Sequence, residues 1–250
     1  MSKTVVETKV LTQRLAALAQ LENKSGPEIL RDQSRLLLKD MVKLTPPGSA
    51  STSESYADQR RRGQAKISKD FWNLWRAGST LANRMRKTGH GKTAEALEKY
   101  IRSGNTLAFA TIARDFGYSD NVVASISTGD HDQKRLKATG RAMRLAHPVW
   151  VLRGNSIKQA MRSKLADVGT AKGGWVESAQ GLGVQLPNWI MGHAKARGVY
   201  EAQLSGDVKF ILLGNLVDYA QKYAPRIVDK ALSIRAKAMA KRIQYLFKNS

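Results

Sequence analysis

"VYEAQLSGDVKFILLGN", residues 199–215, is the stretch on which the fold class turns. Two runs rich in branched and aromatic residues flank Ser205, Gly206 and Asp207. Those three suit a tight turn, so the segment reads as two strands of a hairpin. Most of its surroundings read as helix. Residues 4–22 set Leu11, Leu15 and Leu18 on one face, four and three apart. "SGPEIL" then opens a second helix: Ser25 caps the free N–H groups, Glu28 completes a capping box, and Pro27 suits a first turn. Its apolar row is Leu30, Leu37, Met41 and Leu44, and "TPPG" at 45–48 ends it because proline has no N–H to continue the ladder. Residues 65–88 read as one long helix with Ile67, Phe71, Leu74 and Trp75 on its apolar face, followed by helices over 92–102, 105–115 and 119–139. "PVWVLRG" at 148–154 is a short β-rich run, and 155–167 is helical. A last helix over 225–247 aligns Val228, Leu232, Met239, Ile243 and Leu246. The fold class expected is therefore α+β, mostly helical, with a small antiparallel sheet packed against a long C-terminal helix.

Four sections follow along the chain: N-terminal helices in 1–45, a flexible basic loop in 46–64, a helical section in 65–145, and an α+β core with the C-terminal helix in 146–250. Together they read as one integrated structural unit. The loop assignment rests on "PPGSASTSESYADQ", which is small, polar and poor in core formers, followed by the cationic "RRRGQAK".

Composition narrows the function. The 250 residues include 42 Lys and Arg against 20 Asp and Glu, a net charge of +22. Such an excess attracts polyanions: nucleic acid, an anionic surface or an acidic protein partner. With no cysteine, disulfides, thiolate metal sites and cysteine nucleophiles are excluded. The N-terminus has no apolar run of signal-peptide length, and no eighteen-residue apolar run predicts a membrane span, so a soluble protein folding in a cytoplasm is expected.

Catalytic patterns are weak. "TGHGKT" at 88–93 imitates the end of a phosphate-binding loop, but the glycine that motif requires is replaced by Arg86, and a helix precedes it. It reads as a glycine break between two helices. His90, His131, His147 and His193 are dispersed, and none forms an i, i+4 ligand pair; "HDQ" at 131 reads as a surface histidine. Ser156 and Ser178 have no visible base nearby, and no paired-carboxylate signature is present. The chain is not expected to be an enzyme or to carry a metal or cofactor.

Basic clusters are the better candidates for function. Arg60, Arg61 and Arg62 form one, Lys134, Arg135, Lys137, Arg141 and Arg144 a second, and Lys237, Lys241 and Arg242 of the last helix a third. Phosphate contact needs only positive charge within reach, so these imply affinity without sequence specificity.

"VGTAKGGWVESAQGLGVQLPNWIMGH", residues 168–193, sets Trp175 and Trp189 among glycines with Pro187 between them. Gly181 and Gly183 permit a chain break, and Pro187 sets up a further short turn. Large aromatics at such breaks usually supply burial, so Trp175, Pro187 and Trp189 read as anchors clamping a helix–loop–helix onto the sheet.

This segment, with its glycine and lysine, tryptophan helix and P-x-W-I, resembles one found in tailed-bacteriophage structural proteins of the minor tail, neck and tail-completion type. "LLKDMVKLTPPGS…QRRRGQAKISKDF" and "ILLGNLVDYAQKYAP" are similar to further pieces of such proteins, in the same order, about a third of the chain in all. The resemblance implies an α+β subunit of a homo-oligomeric ring in the virion, assembled in the host cytoplasm. Neighbouring neck or tail proteins would be its partners, with packaged double-stranded DNA along its path and no membrane. It carries over no catalytic residue. A nucleic-acid-binding protein outside the virion and a hydrolase acting on a polyanion are the competing classes.

Overall fold

The computed structural model describes residues 8–48, 51–131, 149–194, 198–207, 209–221 and 223–249. In chain order the elements are α1 (Thr8–Leu21), α2 (Gly26–Leu44), α3 (Tyr56–Leu74), β1 (Trp75–Ala77), α4 (Gly78–Lys87), α5 (Gly91–Ser103), α6 (Thr106–Asp115), β2 (Val122–Val123) and β3 (Val149–Val151). Then come α7 (Gly154–Ala166), α8 (Thr170–Gly173), α9 (Val176–Leu182), α10 (Asn188–Met191), β4 (Gly198–Gln203), β5 (Phe210–Asn215), α11 (Asp218–Gln221) and α12 (Ala224–Lys248). The protein is α+β and mostly helical, with an antiparallel hairpin and a long C-terminal helix. These elements form two compact units, one from residues 1–61 and 169–250 and the other from 62–168. That partition differs from the four consecutive sections read along the sequence, because the N-terminal helices pack against the C-terminal third of the chain.

In the first unit, α2 begins with the expected capping box. The Ser25 N–H donates to Glu28 Oε2 at 2.8 Å, and the Glu28 N–H donates to Ser25 Oγ at 3.4 Å. The buried face of α2 carries Leu38, Met41 and Val42 into a core shared with Trp175, Val176, Ala179 and Leu182, and with Ile227 and Ala231 of α12. β4 and β5 pair antiparallel from Gly198↔Asn215 to Gln203↔Phe210, and Ile211 and Leu213 lean on the same core. Hairpin and long helix thus share one interior. Farther along, Met239 of α12 closes a smaller cluster with Leu18 of α1 and Ile29 of α2, flanked by Ile243 and Leu246.

The second unit holds a three-stranded parallel sheet in the order β1-β3-β2, with Trp75 opposite Val149 and Val122 opposite Trp150. Successive strand residues face opposite sides. Trp150 and Leu152 therefore join Leu81, Met85, Leu97 and Phe109 of the α4–α6 layer. Val149 and Val151 join Phe71, Leu74, Trp75 and Ile157. A parallel sheet covered on both faces in this way is the usual solution for such strands.

Four expectations need correction. The helix foreseen over 65–88 starts earlier, at Tyr56, and is interrupted by β1, because parallel pairing with β3 draws Trp75–Ala77 into extended form. Arg60, Arg61 and Arg62 consequently lie on α3, not in a loop. The span 119–139 holds β2 where continuous helix was expected, pinned by Trp150 N–H donating to Asn121 O at 2.9 Å. His131 is buried, not superficial: its ring stacks on Phe71 with centroids 4.8 Å apart. The break at "TGHGKT" is present as read, with Gly89 at φ +86° between α4 and α5.

Candidate polyanion interface and its supporting centre

The segment 168–193 is organised around the end of α2. A helix C-terminus leaves its last carbonyls without intrahelical partners and carries the negative end of the macrodipole. Here side chains supply donors, from the C-cap residue itself and from farther along the chain. The Thr45 hydroxyl donates to Met41 O at 2.7 Å and Gln59 Nε2 donates to Lys43 O at 3.1 Å. The Lys172 ammonium, fully buried, donates to Val42 O and lies 3.5 Å from Lys43 O. An ammonium buried without partners would be very costly; the helix end offers it carbonyls and a favourable dipole. The Trp175 Nε1–H then donates to Thr45 Oγ1 at 2.9 Å, locking the two segments.

The glycines in this segment provide clearance. A Cβ on Gly174 would collide with the Asn215 side chain, whose Nδ2 donates to Ala171 O at 2.7 Å. A Cβ on Gly181 would collide with the Tyr200 ring of β4. Trp175 is buried, and its indole N–H bonds to the end of α2 and not to the sheet. Trp189 is half-buried against the same core, and Pro187 immediately precedes α10.

Beside this centre, Arg235 Nε of α12 meets Asp40 Oδ2 of α2 at 2.5 Å, with the two side chains 18% and 10% exposed. Leu36, Lys39, Lys43, Tyr56 and Gln185 complete a cleft of about 220 Å³ around the pair. Burial pushes the Asp40 carboxyl above its ordinary value, while the Arg235 charge and hydrogen bond, then Lys43, oppose that rise. Burial and the Asp40 charge together push the Tyr56 phenol up to about 12. The phenol therefore stays protonated at neutral pH, and the carboxylate is engaged by arginine. This arrangement ties α2 to α12. Among the described residues no group of three or more His, Asp or Glu is placed to hold a metal ion, and no helix is long and apolar enough to cross a membrane.

The predicted polyanion contacts that are described lie on two helices, α3 and α12. Arg60, Arg61 and Arg62 are exposed on α3, with Arg61 3.6 Å from Asp58. Lys134, Arg135, Lys137, Arg141 and Arg144 lie outside the described residues. Lys237 and Lys241 are exposed on α12. Arg242 sits elsewhere around that helix, its Nε 3.0 Å from Glu22 Oε1 and its guanidinium over the Tyr245 ring at 5.7 Å.

Sequence reasoning did not single out Lys172, Asp40 or Arg235 as site residues. For Lys172, the flanking alanine and glycines give no sign of burial. For Asp40 and Arg235, far apart on separate amphipathic helices, no local signal exists. Compared with protein-family models, with functionally characterised proteins and with solved structures, the chain gave no significant match.

Proposed function

We infer that the protein is a structural virion subunit of a tailed bacteriophage, a ring-forming neck or tail-completion component on the DNA path. The observation that carries this reading is the interlocking of the three resembling segments. The end of α2, the 168–193 segment and the β5–α11 segment meet through Trp175 to Thr45, Lys172 to Val42 and Asn215 to Ala171. Contacts spanning up to 130 residues join these pieces into one framework, which supports reading the three resemblances together. A framework of buried caps with a protonated phenol and a closed ion pair suits assembly better than turnover. Neighbouring neck or tail proteins would be its partners and packaged DNA its polyanion. The net charge of +22 by itself also suits a non-specific nucleic-acid-binding protein outside the virion. Native mass spectrometry and negative-stain imaging of the purified chain separate the two. A closed ring many times 27.6 kDa supports the virion subunit, and a stable monomer or dimer at assembly concentrations overturns it in favour of the alternative.

A further inference from the structure

α12 carries seven cations and one acid, Asp229, and its cations divide between two faces. Arg235 and Arg242 face the body of the first unit, where Asp40 and Glu22 neutralise them at 2.5 and 3.0 Å. The other five, Arg226, Lys230, Lys237, Lys241 and Lys248, are all exposed, and no described acid pairs with any of them. At about 100° per residue they fall within roughly 60° of arc, a single stripe on the side opposite the two ion pairs. The spacing repeats every eleven residues, 226–237–248 and 230–241. An eleven-residue period stays nearly in line along an α-helix instead of winding around it. At 1.5 Å per residue the row extends about 33 Å, close to one turn of B-form DNA.

We propose that this stripe is a phosphate-backbone track for double-stranded DNA, bound without sequence readout. The identity of the polyanion rests on the virion reading above; the stripe itself rests on charge segregation. Ser233 and Gln244 fill the gaps in the row, and both are exposed. Such side chains hydrogen-bond to phosphate oxygens. Two protein acids take up the charges on the inner face, and the outer row is left for an external polyanion of regular linear charge.

Neutralising a phosphate contributes about 0.9 to the salt slope of log Kobs for duplex DNA. In the 250-residue chain, converting all five stripe cations to glutamine should therefore lower the slope by about 4.5, and the Lys237→Gln/Lys241→Gln pair by about 1.8. Arg242→Gln should leave it unchanged. Fluorescence anisotropy with a 30-base-pair duplex of random sequence, across a series of NaCl concentrations, reads these values, with circular dichroism confirming folding. If the five-fold variant misfolds, the double variant decides. Wild-type slopes in a folded stripe variant would overturn the proposal. So would binding to phosphatidylglycerol vesicles in preference to duplex. Native mass on the same samples keeps the two readings apart. A ring whose stripe variants retain the full slope sinks the track alone, and a monomer whose slope falls as stated sinks only the ring.

Discussion

Trp175 donates its indole N–H to Thr45 Oγ1 at 2.9 Å across 130 residues of sequence, and both residues are buried. Thr45 in turn caps α2 through Met41 O at 2.7 Å, so one hydroxyl both closes a helix and receives the tryptophan. Trp175→Ala should cost about 3–5 kcal/mol through lost burial and the cavity left behind. Thr45→Val keeps the shape but strands the indole N–H, and should cost about 1–3 kcal/mol. Trp189, only half-buried, should cost less than Trp175 when truncated. Urea unfolding of the three variants checks this order, and equal losses at 175 and 189 would contradict the burial argument.

Lys172 gives a second test, because two effects compete there. Removing a buried charge relieves desolvation, but it also strips Val42 O of its donor at the negative end of α2. Lys43 O keeps Gln59, while no other donor to Val42 O is found among the described residues. The loss should prevail. Lys172→Met, which preserves the apolar stem, should destabilise by about 1–3 kcal/mol. A Met variant as stable as wild type would show that relief from burial cancels the lost bond.

The parts of this architecture that sequence could supply are those held by local chemistry. Ser25 and Glu28 lie three residues apart and cap the same helix they announce. The hairpin is written in two strand-forming runs around Ser205–Asp207, and the apolar row of α12 recurs along its own helix. What escaped is held by partners far away in the chain. Trp75–Ala77 has a helical neighbourhood and becomes a strand only because Val149–Val151 lies alongside it. The arginines at 60–62 follow a serine-rich stretch that suggests a loop, yet Gln59 is fully buried and lies in the first turn of α3. Nothing adjacent to Lys172 reveals the helix end it caps.

The capping box should show itself in the pH dependence of stability. Hydrogen bonds from the Ser25 backbone N–H and then its hydroxyl hold the Glu28 carboxyl below its ordinary value of 4.5. A group depressed in the folded state contributes stability that is present above the unfolded value and lost as pH falls through the folded one. Wild type should therefore exceed Glu28→Gln at neutral pH, and the difference should shrink once the pH drops below about 4. Ser25→Ala, which removes the cap itself, should cost about 1 kcal/mol at neutral pH. Thermal melts of the three proteins between pH 2.5 and 7 provide the measurement, and a Glu28→Gln difference that stays constant with pH would refute the box as its source.

Tyr56 supplies the opposite signature at the alkaline end. Its phenol is pushed up to about 12, first by burial beside the α2–α12 core and then by the negative charge of Asp40. The Lys43 ammonium lies 5.9 Å from the ring centre, but it does not prevent this rise. A group raised in the folded state binds its proton more tightly there than in the unfolded chain. Its contribution to stability is therefore complete below the ordinary value of 10 and disappears as pH climbs through about 12. Lysines and the other tyrosines titrate in the same window, so the informative quantity is the difference between wild type and Tyr56→Phe. Up to about pH 9 the two urea-unfolding free energies should run parallel. Above that, wild type should lose stability faster, because only wild type must ionise a phenol next to a buried carboxylate. Asp40→Asn should reduce this extra loss without abolishing it, since burial is the larger cause and the Asp40 charge the smaller. Curves for wild type and Tyr56→Phe that remain parallel to pH 12 would mean that the phenol reaches solvent freely and that the cleft is open at this point.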